Sequence, residues 1–76
     1  MDAEATRLLA AGLCMGIGAV GPALGEGMVA AKTMETIGRN PEIGDKLFSN
    51  MIVAMAICES TGIYSLVIAL IILFAV

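Results

Sequence analysis

An all-α membrane protein, a two-helix transmembrane hairpin assembling into a homo-oligomeric ring, is the fold class that three observations predict. Of 76 residues, 59% are hydrophobic and only 14% are charged, against about half and about a quarter in soluble domains. The charges leave two long apolar runs, Leu8 to Ala31 and Met51 to Val76, with one charge in each. The first run also carries six glycines, the composition of a membrane helix packed closely against others.

Each run reaches the roughly 20 residues that a helix needs to cross the hydrocarbon core. Only helices or closed barrels satisfy the backbone in lipid, and two segments cannot close a barrel. The chain is therefore read as one hairpin over residues 1–76, with helix 1 at about 5–38, a polar loop at 39–42 and helix 2 at about 43–75. A cleaved signal peptide is disfavoured, because Asp2 and Glu4 precede Arg7 where a basic segment belongs and glycines crowd the run that follows.

Between the runs, Lys32 to Asn50 holds six of the eleven charges. A proline disfavours helix at the residue before it, so Asn40-Pro41 centres the turn on Arg39-Asn40-Pro41. Lys32 to Gly38 should extend helix 1 into water. Helix 2 should restart from Glu42, with Glu42 and Asp45 at its positive dipole end. Lys32, Arg39 and Lys46 lie on the loop side and Arg7 on the terminal side, which favours a loop inside the cell and both termini outside.

In helix 1, an advance of about 100° per residue sorts the small residues into two stripes. Gly12, Gly16, Ala19, Ala23, Gly27 and Ala30 share one face; Gly18, Gly21, Gly25 and Cys14 lie nearly opposite. One small face suffices for a dimer. Two suggest a helix wedged between neighbours, and a repeated heterologous contact that closes makes a ring. Val67 to Val76 is bulky by contrast and suits an outer layer against membrane lipid. Pro22 removes one helical hydrogen bond and is read as a gentle kink, tolerated where neighbouring groups re-satisfy the carbonyl.

The chemistry rests on two carboxylates. Glu59 lies deep in the second run with no base nearby, and an ionisable group there is expensive enough to indicate function. Ser60, Thr61 and Tyr64 supply hydroxyls around it, the hard oxygen donors that alkali and alkaline-earth cations prefer. Glu26 lies near the loop end of helix 1. Counted from a turn at 39–41, the two carboxylates differ in depth by roughly 6 Å at 1.5 Å per residue, which tilt and turn length can absorb. If they meet in low dielectric, one must be protonated or a cation must bridge them.

Other chemistries are poorly served. The chain has no histidine, the commonest general base and zinc ligand. Its net charge of −3 argues against nucleic acid. Cys14 and Cys58 sit in apolar runs as small hydrophobes. Gly16-Ile17-Gly18-Ala19-Val20-Gly21 matches a dinucleotide fingerprint, but inside a membrane span and with no strand before it, so the match is incidental.

The glycine-rich first helix, the turn Arg39-Asn40-Pro41 and mid-membrane Glu59 together resemble the c subunit (proteolipid) of F-type ATP synthases over essentially the whole chain. Glu59-Ser60-Thr61-Gly62-Ile63-Tyr64-Ser65-Leu66 is similar to the sodium-coupled branch. Where that branch commonly has a helix-1 glutamine, this chain has Glu26, as in two-carboxylate variants. The resemblance implies a non-catalytic rotor subunit with no cofactor, whose coupling ion is Na⁺ or H⁺. It implies Glu59 as the ion carrier and Glu26 as second carboxylate. Na⁺ would be held by both, with the Ser60 hydroxyl, the Ile57 carbonyl and a Thr61 hydroxyl or held water, while Tyr64 locks Glu59. It further implies a ring of copies turning against subunit a and fixed to the central stalk, γ and ε, through Arg39, Asn40 and Pro41. With no transit peptide before Met1, a bacterial plasma (inner) membrane is expected. Na⁺ is preferred because the site is richer than a proton needs; a proton shared by Glu26 and Glu59 stays open. From a different class, a structural hairpin that only oligomerises through its glycines is the competing reading. Duplicated V-type proteolipids are disfavoured by the single hairpin.

Overall fold

The structure, a computed structural model, describes residues 2–75; Met1 and Val76, the last residue of the expected second run, lie outside it. Helix α1 spans Ala3–Arg39 and helix α2 spans Gly44–Phe74, joined by Asn40 and a single 3₁₀ turn, Pro41–Ile43. At about 1.5 Å per residue, a 37-residue α1 accounts for the long axis of the 58 × 18 × 9 Å molecule.

Local chemistry sets the ends. Asp2 is the N-cap of α1, its carboxylate accepting from the Ala5 N–H at 2.7 Å. This starts the helix two residues before the expected position. At the other end α1 runs one residue further, to Arg39, whose guanidinium donates to Glu35 at 2.8 Å one turn back. Asn40, at φ −141° and ψ 76°, is the non-helical residue demanded by Pro41. Pro41 opens the 3₁₀ turn, where its missing N–H costs nothing. The α-helix therefore resumes at Gly44 rather than Glu42, with Asp45 in its first turn. The helix runs through Pro22 as one element.

The helices run antiparallel in a constant register: Gly18 lies against Ser65, Pro22 against Gly62, Gly25 against Cys58, and Ile37 against Gly44. The 3₁₀ turn moves the fold-back point a residue or two beyond the expected 39–41, so the expected depth mismatch between the two carboxylates largely disappears.

Only Ala11, Met51, Gly62 and Ala69 are buried among the described residues. Large apolar side chains cover the outside instead, including Ile17, Leu24, Met28, Val67, Ile68, Leu70, Ile71 and Phe74. Two helices alone cannot bury such a composition, so the surface is matched to lipid and to copies of the chain rather than to water. Both helices are long and apolar enough to cross a membrane.

Candidate functional site

The seam between the helices is built from small residues. A methyl group on Gly18 would collide with Ser65, meeting its Cβ at 2.6 Å, and one on Gly25 would touch Cys58 Sγ at 3.6 Å. Cys14 completes the stripe, its thiol donating to the Ser65 carbonyl at 3.5 Å. Gly18 and Gly25, expected at contacts between copies, thus pack within one hairpin. The reason is that α2 itself needs one small face to approach. Gly12, Gly16 and Gly27 have nothing within 4 Å of where a side chain would begin, so their face remains open to a neighbour; Gly21, on the opposite stripe, also meets nothing there.

The register carries Glu26 and Glu59 to the same level of the seam. Their carboxyl groups meet within hydrogen-bonding reach of each other. Glu26 is half-buried and Glu59 is exposed on the single hairpin. Two ionised carboxylates about 4 Å apart repel by about 4 kcal/mol at an effective dielectric near 20. A shared proton or an intervening cation removes that repulsion, so the pair is suited to take up and release one or the other.

The oxygen donors beside it are closely grouped. The Ser60 hydroxyl donates to the Ile57 carbonyl at 2.6 Å, holding together two hard oxygens from residues that flank Glu59 in sequence. Each keeps lone pairs beyond that bond. Thr61 is exposed and lines a shallow cavity of about 260 Å³ with Gly21, Pro22 and Cys58. Among the described residues no cluster of three or more His, Cys, Asp or Glu side chains forms. The donor set is therefore two carboxylates with hydroxyl and carbonyl oxygens, which suits a hard cation or a proton rather than a transition metal.

Tyr64 departs from expectation. Its side chain is 69% exposed, and among the described residues no hydrogen bond joins it to Glu59. Five residues advance a helix by about 140°, so the ring leaves the face that carries Glu59. Arg39, Asn40 and Pro41 sit exposed at the fold-back point, as a loop contact requires. Sequence reasoning missed Gly62, which lies three residues after Glu59 and hence on its face; that spacing was the available signal.

Residues 9–72 match the family model of the ATP synthase C subunit. The chain belongs to that family. ATP synthase c subunits from several bacteria resemble it along most of their length. The one from Petrotoga mobilis is 54% identical over 68 residues, covering 90% of this chain and 71% of the relative. That from Dehalococcoides mccartyi is 46% identical over 74 residues, covering 97% of each. That from Thermotoga petrophila is 50% identical over 70 residues, covering 92% and 82%.

As a member of this family, the hairpin is a non-catalytic membrane component of the F-type ATP synthase rotor. It assembles with its own copies into a ring and works with the other ATP synthase subunits. On each hairpin the Gly12, Gly16 and Gly27 face stays open and the surface of α2 is bulky and apolar.

Proposed function

We propose that Glu59 is the coupling-ion carrier of this rotor and that the ion is Na⁺, held with Glu26 as second carboxylate. The observation that carries the reading is the meeting of Glu26 and Glu59 across the seam. The Ser60 hydroxyl and Ile57 carbonyl stand 2.6 Å apart beside them as further ligands, with Thr61 contributing its hydroxyl or a held water and Tyr64 closing the site from an adjacent hairpin. A proton needs one oxygen, whereas a cation needs several, and this group supplies several. Loading neutralises the carboxylate so that the site can face lipid. Rotation against subunit a then carries the ion between its two access routes. Gly12, Gly16, Gly21 and Gly27 pack the copies together, and the turn Arg39-Asn40-Pro41 contacts the stalk subunits γ and ε. The loop then faces the cytoplasm and both termini face outside, in a bacterial plasma membrane.

A second reading is favoured by the same carboxyl pair: a hydrogen bond between two carboxyl groups is itself a way of holding one proton. The test is carbodiimide modification of Glu59 in membranes carrying the ATP synthase. Na⁺ should protect Glu59 in a concentration-dependent way at fixed pH. Absence of protection at high millimolar Na⁺ would leave the proton as the coupling ion.

A further inference from the structure

We infer that Gly62 is a positioning residue of the ion site: its missing side chain leaves the notch in which the Glu59 carboxyl stands. Gly62 is buried, where α2 packs against the Pro22 ring of α1. A β-carbon placed on it would lie 3.4 Å from Glu59 Oε1 and 3.7 Å from both Cβ and Cγ of Pro22. Glu59, Gly62 and Pro22 thus converge on one small space, with the carboxyl on one side and a ring that has no N–H to offer on the other. Positions three apart share a helix face, so the backbone of α2 itself brings Gly62 beneath the carboxyl.

The distances also say what filling the notch does. At 3.4 Å, at the near edge of ordinary contact, an alanine methyl fits without forcing the helices apart. It would nonetheless rest against one carboxylate oxygen, with the Pro22 ring behind it, and remove the room that oxygen has to move. A cation gathers several oxygens into a shell of set radius, so each ligand must adjust to it. A proton needs a single oxygen. Gly62 therefore matters more for holding a cation than for holding a proton, which rests on the Na⁺ reading given above. Glu26 and Cys14 on α1 and Cys58 on α2 are titratable side chains on the same seam, and Gly62→Ala changes none of them.

The test uses membranes carrying the intact ATP synthase, its ring built from wild-type or Gly62→Ala hairpins. Modification of Glu59 by dicyclohexylcarbodiimide is followed by mass spectrometry against NaCl concentration and, without Na⁺, against pH. The NaCl needed for half-protection should rise about tenfold, the lower end of what disturbing a ligand's support costs a metal site. The pH of half-labelling should move by about half a unit. An assembled Gly62→Ala ring with both values unchanged overturns the inference. If wild-type Glu59 shows no Na⁺ protection, the Na⁺ reading falls and the pH profile alone judges Gly62, moved or unmoved. If Gly62→Ala prevents assembly, Pro22→Ala/Gly62→Ala frees the ring side of the notch and is compared with Pro22→Ala. A profile that still differs supports positioning. An identical profile, or failure of the double variant to assemble, makes Gly62 a packing residue and overturns the inference.

Discussion

Gly16→Ala and Gly18→Ala put the same methyl group on one helix two residues apart, yet the structure assigns them opposite consequences. At Gly18 the new carbon would meet Ser65 Cβ at 2.6 Å, whereas at Gly16 nothing lies within 4 Å. Forcing a methyl into a filled seam costs about 1–3 kcal/mol. Replacing a mid-helix glycine by alanine returns roughly 0.5–1 kcal/mol. For Gly18→Ala the first effect is the larger, and the hairpin should lose about 1–2 kcal/mol. For Gly16→Ala only the second acts within one chain, and the isolated hairpin should be unchanged or slightly more stable. In the ring the order reverses in origin, because Gly16 belongs to the open face. Denaturation of the dissociated hairpin in detergent measures the first comparison, and the fraction of detergent-resistant ring on a gel measures the second. Ser65→Gly removes the carbon that Gly18→Ala would strike, so a double-mutant cycle should recover about 1 kcal/mol or more of coupling. A Gly18→Ala hairpin as stable as Gly16→Ala, or a cycle with no coupling, would refute this assignment of the two faces.

Four further outcomes follow from the same geometry. Glu59→Gln should assemble into the ring, lose carbodiimide labelling and abolish ion-coupled ATP synthesis; unchanged coupling would return the protein to the class of purely structural hairpins. Glu26→Ala, which leaves no side-chain oxygen at this position, should raise the NaCl needed to protect Glu59 by about tenfold to a hundredfold, as the loss of a charged contact of about 1.5–3 kcal/mol implies; an unchanged titration removes Glu26 from the ligand set. Arg39→Ala breaks an exposed ion pair with Glu35, worth under about 1 kcal/mol, so hairpin stability should hold while coupling of ion flow to ATP hydrolysis falls. Asp2→Ala removes the N-cap and should cost about 1 kcal/mol, visible as faster amide exchange confined to the first turn of α1.

The broad architecture was legible because it depends on quantities that are additive along the chain. Run length and hydropathy select two spans, Pro41 breaks the helix before it, and carboxylates stand out in apolar runs. The differences are local or rotational. Helix 1 starts early because Asp2 caps it, a favourable effect that counting hydrophobic residues does not register. Helix 2 restarts at Gly44 because Pro41 first makes a 3₁₀ turn. Nearness in sequence groups Tyr64 with Ser60 and Thr61, whereas a helix turns it about 140° away from Glu59.

The two glycine stripes mark the boundary between these kinds of knowledge. Periodicity establishes that α1 has two small faces, because the angle between residues follows from the helix itself. It does not establish which face meets α2, since that depends on how far each helix is rotated about its own axis and on the register between them. The packed hairpin settles both: Gly18 and Gly25 go inward, Gly12 and Gly16 stay outward, and Glu26 arrives opposite Glu59. The same register places Gly62 between Glu59 and Pro22, a meeting of residues about forty apart in sequence that no local pattern encodes.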